Sequence, residues 1–198
     1  MRSNRASECT SSERACIRSF TLRGIIDANG VMMLVVVMGV AGSGKTTVGR
    51  RLADAIACGF VDGDSLHSTS SVQKMTRGIP LTDSDRAGWL DAVHAKLADA
   101  FRHELSLVVA CSALKRSYRT VLAGDLPVEW VYLKASEELL RSRLLNRAGH
   151  FMKAEMLNSQ LATLEEPSVA VVVDASQLAD DIVEQTLTAL RNRAKPKV

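Results

Sequence analysis

Residues 35–52, VVVMGVAGSGKTTVGRRL, restrict the possible folds of this chain more than any other stretch. An apolar β-branched run stops at a glycine, three glycines fall within six residues, and Lys-Thr-Thr opens an amphipathic pattern. Gly39, Gly44, Lys45 and Thr46 satisfy GxxxxGK[ST], and they do so where the mechanics requires it, after a strand and at the start of a helix. Glycines there let backbone N–H groups turn inward on phosphate oxygens, and the positive end of the following helix adds to the attraction. The loop of Gly39, Val40, Ala41, Gly42, Ser43, Gly44, Lys45, Thr46 and Thr47 is therefore the expected ATP-binding segment. Lys45 should reach the β- and γ-phosphates, and the Thr46 hydroxyl should ligate Mg²⁺.

Strand and helix patterns alternate downstream. Residues 34–38, 59–62, 105–111, 128–133 and 169–174 read as strands. Residues 45–57, 83–102, 114–123, 136–147, 155–164 and 178–193 read as helices. Strands apolar on both faces that alternate with helices predict an α/β fold, with a parallel sheet covered on each side.

Residues 1–31 differ from the rest. They are Ser- and Arg-rich without periodicity and are expected to form an extension upstream of a single P-loop domain over 32–198, either a transit-like segment or sequence preceding a start at Met32 or Met33. A net charge of +3, with Lys and Arg interspersed among acids and 4% aromatic residues, offers neither a basic stripe nor a stacking surface for nucleic acid. The longest apolar run is too short for a membrane span, which takes roughly 20 residues. Cys9, Cys16, Cys58 and Cys111 show neither CxxC nor zinc-like spacing, which fits a reducing, cytoplasmic setting. Residues 85–88, DRAG, match the DxxG of GTP-driven switches, but no buried strand precedes them and no NKxD follows to read guanine.

The second strand runs into VDGDSLHS, with Asp62 and Asp64 flanking Gly63. Ligands of open α/β sheets gather at the carboxyl ends of strands, so both carboxylates should face the phosphate loop. One can hold Mg²⁺ while the other orients and deprotonates an acceptor hydroxyl; an acidic turn that caps the next helix is the plainer reading of the same residues.

MGVAGSGKTT, DGDSLH, KMTRGIPLTDSDRAGWL, CSALKRSYR, RAGHFM and SQLATLEEP stand in the order and spacing of the gluconokinases, and the chain resembles that family over residues 34–193. The resemblance implies a P-loop NTPase-type three-layer fold like that of shikimate kinase, with a five-stranded parallel sheet and a helical lid over about 147–167. It implies transfer of the γ-phosphoryl of ATP to the 6-hydroxyl of D-gluconate, Mg²⁺ as cofactor and a homodimer. It places Asp62 near Mg²⁺ and Asp64 near the reacting hydroxyl, with those roles open to exchange. Arg86 becomes the first candidate for the sugar acid's carboxylate, since a guanidinium matches a carboxylate as a two-pronged fork; Lys115 and Arg119, just after the third strand, are candidates for either substrate or phosphate, and His67 for a sugar hydroxyl. Arg143 and Arg147, four apart on one helix face, become lid cations that meet ATP phosphates and spread transition-state charge. Ser68, Ser71 and Gly88 depart from the family's usual Pro, Asn and Pro. They turn attention to the substrate side and to a related sugar acid or shikimate-like hydroxy acid as the alternative acceptor.

Overall fold

The computed structural model describes residues 32–146 and 154–194. The extension expected over 1–31 lies outside them, as do Arg147 and the lid edge around His150 and Phe151. Five strands, β1 (Leu34–Met38), β2 (Gly59–Asp62), β3 (Leu107–Ala110), β4 (Val128–Lys134) and β5 (Val171–Asp174), form one parallel sheet in the order β2-β3-β1-β4-β5. Among the described residues, seven α-helices connect or follow them: α1 (Lys45–Ala55), α2 (Thr69–Thr76), α3 (Asp83–Arg102), α4 (Arg116–Ala123), α5 (Glu137–Leu145), α6 (Ala154–Thr163) and α7 (Ala179–Ala194).

β1 is central and buried along its whole length, and the two-residue alternation of a strand divides its side chains between two cores. Val35 and Val37 pack with Val48 and Leu52 of α1 and with Ile182 and Leu190 of α7. Leu34, Val36 and Met38 pack with Trp89, Val93 and Leu97 of α3 and with Tyr118 and Leu122 of α4. Complete burial of such a side chain contributes about 1.5–3 kcal/mol relative to exposure. The central strand is therefore a rigid mount for the loop that leaves its carboxyl end. A third, smaller cluster of Val40, Leu114, Leu140 and Leu157 joins that loop to α5 and α6.

The five strands and six helices expected from periodicity all occur, with ends displaced by a few residues. α2 and the 3₁₀ turn Gly63–Leu66 were not expected. The turn carries Asp64, and both elements lie between Asp62 and α3 along the chain.

Candidate active site

α1 begins without a capping side chain and with no acidic residue in its first turn, so its leading N–H groups and dipole are left for an external anion. Gly44 precedes it at φ 95°, a left-handed conformation that L residues rarely adopt, and a Cβ there would point into open space. The Ser43 hydroxyl is buried without a hydrogen-bond partner. An open cradle beside an unsatisfied donor suits the phosphate oxygens of a nucleotide. Ser43 N–H also donates to Val40 O at 3.2 Å, and Gly39 N–H donates to Ser112 O at 3.4 Å, tying the loop to the end of β3.

Lys45 Nζ donates to Val40 O at 3.1 Å, and Thr46 Oγ1 donates to Asp62 Oδ2 at 3.0 Å. Asp62 Oδ1 accepts the Asp64 N–H at 3.1 Å, so Asp62 also caps the 3₁₀ turn. A hydroxyl beside a carboxylate is an all-oxygen donor pair, the kind that suits Mg²⁺, which commonly takes one or two protein ligands together with phosphate oxygens and water. Asp64 is exposed.

Close packing fixes the turn between the two acids. A Cβ on Gly63 would come within 2.7 Å of Ala110 O, so only glycine lets the turn press against the end of β3. From the other side, Trp89 Nε1 donates to Gly63 O at 2.7 Å, and the His67 ring stacks on Trp89 at 4.5 Å and 8°. Burial pulls the His67 pKa down, and the nearby Arg86 cation adds to this while the Asp64 carboxylate opposes it.

Arg86 and Lys115 meet around Asp83 and Tyr118. Lys115 Nζ donates to both Asp83 oxygens at 2.9 and 2.8 Å and stands 5.3 Å from the Tyr118 ring centroid. The Tyr118 hydroxyl donates to Asp83. Arg86 NH1 donates to Leu81 O at 2.5 Å and lies 4.0 Å from Asp83 and 3.5 Å from the Tyr118 hydroxyl. The hydrogen bond with Asp83 raises the Lys115 pKa, and Lys115, with Tyr118, holds the Asp83 carboxyl below its ordinary range. The cluster already binds one carboxylate, its own.

Arg119 has a different setting from the substrate-facing one expected of it. It is buried, and NH1 donates to Ala113 O at 2.9 Å and Leu114 O at 3.1 Å. It thereby braces a turn in which Ala113 has φ 44° and from which Lys115 projects. Cys111 is fully buried with its pKa pushed up to about 12, as expected of a small hydrophobe rather than a nucleophile.

Arg143 NH2 donates to Ala175 O at 2.7 Å, and NH1 lies 3.5 Å from Gly42 O. It stands at the wall of a cleft of about 390 Å³ that runs from Gly42 and Thr47 to Asn146, Ala175 and Gln177. The last three went unnoticed in the sequence. Their only signal is position, at the end of α5 and just past the carboxyl end of β5, where ligands of open sheets gather.

The departures at Ser68 and Ser71 acquire structural reasons. Ser68 Oγ caps α2 by accepting the Ser71 N–H at 3.2 Å, and Ser71 is buried in the seam with α3, its hydroxyl 3.5 Å from Asp85 O. Gly88 lies within α3, where a Cβ would meet nothing within 4 Å.

Residues 34–167 match the model of a family described as an AAA domain. A gluconokinase of Gluconobacter oxydans is 52% identical over 67% of this chain and 75% of its own. The crystal structure of a gluconokinase from Sinorhizobium meliloti is 42% identical and superposes with a TM-score of 0.74, over 87% of this chain and 95% of that one. A shikimate kinase from Acinetobacter baumannii, 19% identical with a TM-score of 0.54 over 85% of this chain and 98% of its own, shares the fold.

Proposed function

Because the chain belongs to the gluconokinase family, we propose that it transfers the γ-phosphoryl group of ATP to the 6-hydroxyl of D-gluconate, giving 6-phospho-D-gluconate and ADP. The observation that carries the reading is the Thr46–Asp62 contact of 3.0 Å, which joins the start of the phosphate helix to the acceptor turn. Donor and acceptor chemistry thus share one mouth at the carboxyl ends of β1 and β2.

Thr46 and Asp62 would hold Mg²⁺, which when bound offsets the charge of the phosphate oxygens. Asp62 suits that task because hydrogen bonds from Thr46 and from the Asp64 N–H hold its carboxylate in place beside the Thr46 hydroxyl. Asp64, exposed and two positions on, is the acceptor's base. The 6-hydroxyl oxygen forms a bond to the γ-phosphorus as its proton passes to Asp64. The bond from phosphorus to the bridging oxygen breaks, and its electron pair leaves with ADP. Lys45 and Arg143 meet the developing charge on the phosphoryl oxygens. Arg86 and Lys115 receive the substrate carboxylate, His67 offers a ring nitrogen to a sugar hydroxyl, and Arg119 holds the turn that aims Lys115. Arg147, beyond the described residues, is assigned by the resemblance alone to the phosphates. The cleft beside Arg143 takes the nucleoside.

No described helix is long and apolar enough to cross a membrane. Cys58 and Cys111 are both unpaired, which supports a cytoplasmic setting. A homodimer follows from the resemblance, and light scattering of the purified chain tests it.

The deciding experiment follows ADP release from ATP and Mg²⁺ with gluconate, other sugar acids and shikimate offered in parallel. Gluconate should give the highest kcat/KM. Faster turnover of another hydroxy acid would replace gluconate as the acceptor, and turnover indifferent to any of them would end the kinase assignment.

A further inference from the structure

The Val40–Ala41 peptide of the phosphate loop is gripped from both ends. Its carbonyl accepts the Lys45 ammonium at 3.1 Å, and its N–H donates to the Gln160 carboxamide oxygen at 2.7 Å. Gln160 belongs to α6, 119 residues further along the chain. The Val40 carbonyl also accepts the Ser43 N–H at 3.2 Å, and of these three bonds the one to Gln160 is the shortest and alone ties the peptide to a distant element.

Gln160 is itself well mounted. Leu157, one turn before it, is fully buried with Val40, Leu114 and Leu140, and Leu161 and Leu164 pack against the same cluster. Positions 157, 160 and 161 share one face of α6, so the burial that fixes the helix also aims the carboxamide at the loop.

A peptide plane offers an oxygen on one side and an N–H on the other. Turned over, the Val40–Ala41 unit would present an N–H toward the Lys45 ammonium and remove the carbonyl that accepts it. The bond to Gln160 Oε1 exists only while the N–H points at α6, the orientation that keeps the Val40 carbonyl on the lysine side. Lys45 is the side chain that reaches the β- and γ-phosphates in such loops.

We propose that Gln160 is a positioning residue for phosphoryl transfer: by accepting the Ala41 N–H it fixes the peptide on which Lys45 rests and so sets the ammonium for the γ-phosphate. The inference depends on the reading of this loop as the ATP site. It makes α6 part of the phosphate machinery, joined to the loop by a polar contact as well as by packing.

The test is Gln160→Met, which keeps the length and apolar bulk of the side chain and removes the acceptor. ADP and ATP are titrated separately with Mg²⁺ into the wild-type and variant chains, without sugar acid. ATP affinity should fall about threefold to tenfold, the worth of one neutral hydrogen bond, and ADP affinity by clearly less, since ADP offers Lys45 only the β-phosphate. Equal weakening of both nucleotides would make Gln160 a structural strut. ATP affinity unchanged within about twofold would show that the peptide holds its orientation unaided, and either result overturns the proposal. Failure of the wild-type chain to release ADP in response to gluconate would instead sink the functional reading, and both titrations would remain interpretable.

Discussion

At Asp62 and Asp64 two identical side chains, two positions apart, are given different surroundings by their neighbours. Asp62 is bound on both oxygens, whereas Asp64 lends only its backbone N–H to that network and keeps its carboxylate at the surface. Asp64→Asn should therefore lower kcat by about 10² to 10⁴, the usual cost of losing a general base, with little change in the KM for ATP. Near-normal kcat in that variant would move the base elsewhere, with Asp62 the next to test. Arg86→Ala should raise the KM for gluconate more than it lowers kcat, since a carboxylate clamp acts from first contact onward. An unchanged KM would leave Arg86 only its contacts with Leu81, Tyr118 and Asp83. Trp89 is less obvious, because burial among apolar side chains hides its polar duty. Trp89→Phe keeps most of the packing but removes the donor to Gly63 O. It should cost roughly 1–3 kcal/mol for the carbonyl left unpaired. Thermal unfolding and kcat, measured together, would show whether the acceptor turn loosens with it.

The elements around the acceptor turn show where sequence reading succeeds and where it stops. α3 was legible to the residue because its cap is written locally: Thr82 accepts the Asp85 N–H, and Asp85 in turn accepts the Thr82 N–H at 2.9 Å. α2 was not legible. It has eight residues, mostly of modest helix propensity, and is held by the Ser68 cap, the Ser71 seam and the Lys74–Asp85 ion pair at 2.6 Å. Two of those three depend on α3, which local pattern cannot reveal. Asp85 thus serves two helices, and its bonds to Lys74 and Thr82 bring its pKa from 3.8 to about 2. A carboxyl depressed on folding stabilises the native state above its unfolded pKa and loses that contribution as pH falls through the folded value. The wild-type chain should melt higher than Asp85→Asn near neutrality, with the gap closing as pH drops from about 4 to about 2. A gap independent of pH would mean that shape rather than charge holds the junction. Gly88 offers the opposite case. It occupies the interior of α3 with open space around it, so Gly88→Ala should stabilise the chain by about 0.5–1 kcal/mol. Destabilisation would show that the position needs more than helix propensity.

At the scale of the molecule, the parallel sheet makes the site by delivering separate loops to one edge. The phosphate loop was legible because nine consecutive residues carry it and the chemistry tolerates few alternatives. The nucleoside cleft was not, since Thr47, Arg143, Asn146 and Gln177 lie up to 130 positions apart and converge only through the β1-β4-β5 order. The setting of Arg119 was not legible for a related reason: its place in the sequence, just after β3, says nothing of whether its guanidinium turns outward or back onto Ala113 and Leu114. A cleft built from distant segments has a measurable consequence, because a ligand that binds only the assembled form stabilises the whole by mass action. At about 100 times its Kd, ATP with Mg²⁺ should add roughly 2.7 kcal/mol, or about 5–10 °C in melting temperature for a domain of this size. Gln177→Ala should weaken ATP binding, and so reduce that rise at a fixed ATP concentration, while leaving the KM for gluconate at saturating ATP unchanged. Gln177 lines the cleft beside Arg143 and has no part in the cluster around Asp83. If instead the variant keeps the full ATP-dependent rise, the nucleoside binds outside this cleft, and Arg143 acts from some position other than its wall.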